Sequence, residues 1–195
     1  MEIRLAFPNE VESIMTIIED AKNYLAQSGS DQWQSDYPNK ETIFEDVLQG
    51  RGWVGLEDGQ LLAYAAVIDD HEPAYDAIYD GKWGHNNHRY LTFHRLALAE
   101  SARGQGLAQT FLQGLIEGHD GPDFRCDTHE KNKAMQHILT VARSSMKVNV
   151  WPIKRLSQRL KEASIKKWTR LTTTPSNQAE IAIQFQMRIA IFIEF

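Results

Sequence analysis

The chain has 195 residues, 42% of them hydrophobic and 10% aromatic, which suits one compact domain with a real core. It holds no run of about 18 apolar residues that could cross a bilayer and no basic segment leading into an apolar stretch at Met1-Glu2-Ile3-Arg4-Leu5. The single cysteine, Cys126, excludes an internal disulfide, so a cytoplasmic location is expected. The formal net charge of −5 hides a division: residues 143–195 carry 10 of the 21 Lys and Arg but only 3 of the 26 Asp and Glu. Such a basic end can serve nucleic acid, or it can mean that the two parts do not share an origin.

In chain order, residues 2–7 alternate as a short strand. Asn9 then reads as the cap of a helix with Val11, Ile14, Met15, Ile18, Ala21 and Leu25 at helical spacing. Gly29 stops that helix, and Asp31 to Pro38 is a loop rich in groups that bind or cap. A helix over 40–49 ends at Gly50. Residues 53–56 and 60–68 flank Glu57-Asp58-Gly59, a strong hairpin signal. Residues 69–88 have little periodicity and read as a long connection. Residues 90–98 form a strand whose alternation puts Tyr90, Thr92, His94, Leu96 and Leu98 on one face. A helix from about Gly106 to Glu117, a strand over 123–128 and a helix over 130–142 complete a mixed α/β layered domain.

The segment Arg103-Gly104-Gln105-Gly106-Leu107-Ala108 lies between a strand and a helix. A helix N-terminus offers unpaired amides and a positive dipole end, and glycines ahead of it allow close approach of a phosphate. Two nucleotide motifs are excluded at this turn. A GxGxxG fingerprint would need glycine at Gln109 and a first glycine at the strand end, and no Lys followed by Ser or Thr is present for a P-loop.

With Arg103, Gly106 and Ala108 in the pattern Arg or Gln, two residues, Gly, one residue, Gly or Ala, the chain resembles the GNAT N-acetyltransferase superfamily over residues 1 to about 140. It looks most like a bacterial, largely Gram-positive group at Gln32-Trp33, Tyr37-Pro38, His94-Arg95-Leu96-Ala97-Leu98, Asp127-Thr128-His129, Asn132 and Met135-Gln136. The resemblance implies a mostly antiparallel mixed sheet with helices on both faces, and an acetyl-CoA-binding acetyltransferase domain over residues 1–142. It further implies acetyl-CoA as cosubstrate without a metal, and transfer to an amine of a small molecule or peptide. From the composition, no membrane partner is expected and a nucleic-acid partner is disfavoured; a homodimer is possible. Backbone groups of Leu96 and Leu98 would bind the acetyl and pantetheine end, Asn132 the pantetheine arm, and residues 103–108 the pyrophosphate.

Acetyl transfer to an amine needs a group that takes a proton from the ammonium, and histidine titrates in the suitable range. His94 and His129 are the expected catalytic residues, against core bonding for the first and helix capping for the second. Glu72, Asp69 and Asp70 are alternative carboxylates, and Trp33, Tyr37 and Trp83 could wall the acceptor site. The tyrosine acid that many superfamily members place seven residues after the asparagine is replaced by Leu139.

After the last core helix the superfamily continues with Gly-Phe and two closing strands, whereas this chain has Arg143-Ser144-Ser145 and then turns basic. Residues 143–195 are therefore expected to be an atypical segment, with the closing strands missing or replaced. A frame shifted by two bases from Arg143 forces Glu across Met146-Lys147 and Ala across Trp151-Pro152, and it allows Phe-x-Tyr-Glu-Gly-Lys-Cys-x-Ala-Tyr, which is similar to the group's usual ending. A basic extension for RNA contact is the competing account, disfavoured by the sparse aromatics beyond Trp151 and Trp168. The functional alternative is a CoA-binding protein left inactive by its altered C-terminus.

Overall fold

The computed structural model describes residues 1–70, 89–120, 123–129, 131–146 and 148–153. The expectations for Glu72, Trp83 and the tail beyond 153 fall outside them. The elements in chain order are β1 (Glu2–Leu5), α1 (Val11–Gln27), α2 (Lys40–Leu48), β2 (Gly52–Glu57), β3 (Gln60–Ile68), β4 (Leu91–Leu98), α3 (Leu107–Glu117), β5 (Phe124–His129), α4 (Lys133–Met146) and β6 (Val148–Ile153).

Local chemistry accounts for most boundaries. Helix α1 buries Val11, Ile14, Ile17, Ile18 and Leu25 along one stripe and stops where Gly29 takes φ +75°. Asn9 is not its cap. Pro8–Glu10 form a 3-10 turn, and the Glu10 carboxylate accepts from the Phe7 amide at 2.8 Å and from Arg4, satisfying the chain entry in place of an Asn side chain. Asn39 does cap α2, its Oδ1 accepting from the Thr42 amide at 3.0 Å. Between β2 and β3, Asp58 and Gly59 both have positive φ (49° and 77°), the geometry of a two-residue hairpin turn with matched strand twist.

One six-stranded sheet has the order β1-β2-β3-β4-β5-β6. The first four strands pair antiparallel, whereas β4 with β5 and β5 with β6 are parallel. Parallel neighbours require crossovers, supplied by α3 and α4 on one face, and α1 and α2 cover the other. Two apolar clusters result, one holding Ile14, Ile18, Ile43 and Tyr64, the other Phe93, Phe111, Leu112 and Leu115. The single described strand after α4, β6, pairs with β5 over six residue pairs and runs parallel to it.

Two departures from regularity shape the middle of the sheet. Between the pairs Ala66–His94 and Tyr64–Ala97, two β4 residues, Arg95 and Leu96, stand opposite Ala65. Arg95 takes φ +54°, so this is a β-bulge. A bulge reverses alternation: Phe93 and then Leu96 and Leu98 pack on the α3/α4 side, while Ala97 packs on the α1/α2 side. The expectation that Tyr90, Thr92, His94, Leu96 and Leu98 share one face is corrected on that ground. The second departure is between β4 and β5, which pair only at Leu91–Phe124 and Thr92–Arg125 before they part.

Candidate active site

A cavity of about 490 Å³ opens where β4 and β5 separate. Its walls come from β4 (93–98), the C-terminal half of β5 (126–128), the turn and first residues of α3, the first turns of α4, and the α1–α2 loop. Because β5 does not pair with β4 beyond Thr92, the β5-facing backbone edge of β4 is open to an extended ligand, including the groups of Leu96 and Leu98.

At the α3 end, Gly104 and Gly106 take φ of +75° and +76° and Gly106 is the helix N-cap. A Cβ on either would meet nothing within 4 Å, so glycine is needed there for its backbone conformation and not for space. Bonding to the Gly106 carbonyl begins with the amides of Gln109 and Thr110, leaving those of Gly106, Leu107 and Ala108 for another acceptor. Arg103 is held by its own Nη2 donating to the Leu98 carbonyl at 3.4 Å, with the guanidinium 4.9 Å above the Tyr24 ring. Gln105 points outward, donating to the Ser101 carbonyl at 2.6 Å, and does not line the cavity. The other expected ligand-binding residues, Leu96, Leu98, Arg103, Gly104, Gly106, Leu107, Ala108 and Asn132, all do.

The bulge turns Arg95 toward α2. Its Nε and Nη2 donate to both carboxylate oxygens of Asp46 at 2.8 and 2.7 Å, and Nη1 donates to the Tyr37 hydroxyl at 2.6 Å. Tyr64 donates to Asp46 at 2.8 Å. Burial opposes the guanidinium charge, but Tyr37, Asp46 and Tyr64 outweigh it and hold the Arg95 pKa above the ordinary arginine value. This network seats Tyr37, buried, in the cavity wall beside Trp33, whose backbone stands at φ +63°.

His94 lines the cavity, and burial followed by the Arg95 charge pushes its pKa down to about 3. At neutral pH its imidazole is uncharged. His129 stands outside the cavity lining, at the β5–α4 turn. There its Nδ1 accepts from the Lys131 amide at 3.2 Å, its Nε2 faces Asp31 at 3.5 Å, and its carbonyl accepts from the Asn132 amide at 2.9 Å. Asn132 caps α4 through its Oδ1, which accepts from the Met135 amide at 3.1 Å, while its Nδ2 donates to Gln32 at 3.2 Å. The α1–α2 loop is thereby tied to α4. Leu139 is buried in the cavity floor. Asp69 and Asp70 sit elsewhere, paired with Arg89 and Arg51 beside a second cleft that Trp53 and His119 also line.

Several lining residues escape a motif search. Gln32 was visible only as part of a resemblance. Cys126, Asp127 and Thr128 occupy successive β5 positions, a polar insertion in a buried strand. The Cys126 thiol is pushed up by burial and by Asp127 and stays protonated. Thr128 Oγ1 is buried, lines the cavity and has no hydrogen-bond partner among the described residues. Arg95 could be flagged as a charge in mid-strand, but its partner Asp46 lies 49 residues earlier and only the fold joins them.

The site is thus a central sheet parted between two parallel strands, with a glycine turn at a helix N-terminus over the gap, in an α/β protein. The Acetyltransferase (GNAT) family model matches residues 14–141, two thirds of the chain, and the chain belongs to this family of acetyltransferases. It is similar to a GNAT-family acetyltransferase structure from Streptococcus agalactiae at 66% identity, with TM-score 0.70, over 72% of this chain and 82% of that one. The fold is shared with a mutant Bacillus halodurans protein at 15% identity and TM-score 0.56, covering 80% of this chain and 100% of that one. No curated protein matches. No helix among the described residues is long and apolar enough to cross a membrane, and no cluster of metal-binding side chains is found among them.

Proposed function

We propose that the chain transfers an acetyl group from acetyl-CoA to a primary amine of a small molecule or peptide. The observation that carries this is the gap between β4 and β5 with the amides of Gly106, Leu107 and Ala108 at one end. Those amides and Arg103 suit a pyrophosphate, and the open edge of β4 at Leu96 and Leu98 suits the amide-bearing pantetheine arm. Asn132 retains a second Nδ2 hydrogen for that arm while the first holds Gln32. In the reaction the amine nitrogen bonds to the acetyl carbonyl carbon and the carbon–sulfur bond breaks. The amine releases a proton, and the sulfur leaves as the CoA thiol.

His94 brings a lone pair at neutral pH, but a group with its pKa near 3 holds a proton only briefly. The proton then passes on to water. A purified chain that releases CoA thiol with at least one amine of a broad panel supports the proposal, and none despite acetyl-CoA binding contradicts catalysis.

A second reading, CoA binding without turnover, is favoured by one observation. The family match stops at residue 141, and the matched part leaves a fifth of the Streptococcus chain without a counterpart. On that reading residues 1–142 are the acetyltransferase domain and residues 143–195 derive from a shifted frame. Sequencing the gene across codons 135–155 decides the origin, since an alternative frame that stays closed there rules it out.

A further inference from the structure

We propose that the Thr128 hydroxyl donates a hydrogen bond to the carbonyl oxygen of the bound acetyl thioester and is a catalytic residue of this site. The inference rests on the transfer reading above and adds to it a group that neither the glycine turn nor the Asn132 cap supplies.

Thr128 is 1% exposed, yet its Oγ1 has no hydrogen-bond partner among the described residues. Buried hydroxyls are bonded in the large majority of cases, because a donor that loses water without replacement costs free energy. Thr92 Oγ1 is buried and unpartnered too, but Thr92 belongs to the last β4–β5 pair and is not part of the cavity wall. Thr128 is part of that wall, so an entering ligand meets one hydroxyl and not the other.

Strand register sets the level of the Thr128 hydroxyl. β4 and β5 run parallel and pair last at Thr92–Arg125. Three residues further along each strand come Arg95 and Thr128, so Thr128 stands level with the β4 bulge at Arg95 and Leu96. Phe124 and Cys126 pack on the α3/α4 side, and by alternation Thr128 follows them to the side on which Leu96 packs. An extended arm whose pyrophosphate sits at Gly106 enters beyond Leu98 and runs inward along β4, which brings its thioester end to the bulge and to Thr128. The cavity wall nearby includes the buried Phe93, Cys126 and Leu139, and in such apolar surroundings a hydroxyl donor counts for more than in water. When the amine nitrogen bonds to the acetyl carbon, negative charge collects on the carbonyl oxygen and the bond from Thr128 strengthens. The hydroxyl keeps its proton throughout, and the carbonyl re-forms as the carbon–sulfur bond breaks.

Calorimetric titration of acetyl-CoA and of CoA into the full chain, unmutated and as Thr128→Val, Thr128→Ser and Thr92→Val, tests this, with urea unfolding of each ligand-free chain beside it. Thr128→Val keeps the shape and deletes the hydroxyl. It should weaken acetyl-CoA binding about three- to tenfold, leave CoA, which has no acyl carbonyl, unchanged, and raise the urea midpoint because the unmet donor is gone. Thr128→Ser should keep the affinity for acetyl-CoA. Thr92→Val should raise the midpoint and alter neither titration. Undiminished acetyl-CoA binding in Thr128→Val, an equal loss for CoA, a lowered urea midpoint, or the same acetyl-CoA loss in Thr92→Val overturns the proposal and leaves the transfer reading in place. An unmutated chain that binds neither ligand overturns both.

Discussion

Replacing Asp46 by Asn strips the counter-charge from a guanidinium that is almost fully enclosed. The two side chains are 6% and 7% exposed, and Arg95 directs two charged hydrogen bonds at 2.7–2.8 Å to Asp46. Breaking a buried pair from one side leaves an uncompensated charge and costs about 3–5 kcal/mol, a large part of the roughly 5–15 kcal/mol that holds a domain together. Tyr64→Phe is the internal comparison. It removes one hydroxyl donor to Asp46 while both arginine bonds remain, so about 1.5–3 kcal/mol is expected. Urea unfolding at neutral pH, followed by far-ultraviolet circular dichroism, measures both. If Asp46→Asn costs less than about 1 kcal/mol, or Tyr64→Phe costs as much, the network does not hold β4 to α2 as described.

Three further outcomes are expected. The folded chain keeps His94 unprotonated down to about pH 3, whereas the unfolded chain takes up that proton near the ordinary value of 6.5. Stability therefore falls as pH drops from 6.5 toward 3, by up to about 1.4 kcal/mol per pH unit from this group. His94→Gln should remove that part of the slope in pH-dependent urea melts and leave stability above pH 7 without it. Gly106→Ala keeps the space but forbids the easy φ of +76°, so it should cost about 1–2 kcal/mol and weaken acetyl-CoA binding measured by calorimetry. Asn132→Ala removes the α4 cap and the tie to Gln32, for a loss of about 0.5–2 kcal/mol in thermal or urea unfolding.

What could be read from the residues alone was whatever local rules govern. The stripe of Val11, Ile14 and Ile18, the Asp58-Gly59 hairpin and the paired glycines before α3 each carry their geometry within a few residues. The β4 bulge was not legible, because alternation from Tyr90 to Leu98 looks regular until Arg95 is drawn to an aspartate on another helix. Asn9 misled for a related reason: a good capping side chain stood next to Glu10, which could satisfy the entry and Arg4 at once. Asp127 was visible only as one letter of a resemblance. Its place at the opening of the sheet is recorded by no spacing in the chain.

The central claim is that the gap between β4 and β5 receives acetyl-CoA with its pyrophosphate on the glycine turn. Titration of acetyl-CoA into the purified full chain by calorimetry, repeated with the 3′-dephosphorylated cofactor and with pantetheine, tests it most directly. Saturable binding of one acetyl-CoA per chain that survives loss of the 3′-phosphate but falls sharply for pantetheine, which lacks the pyrophosphate, is the predicted result. No heat at high micromolar acetyl-CoA, or equal affinity for pantetheine, would contradict it.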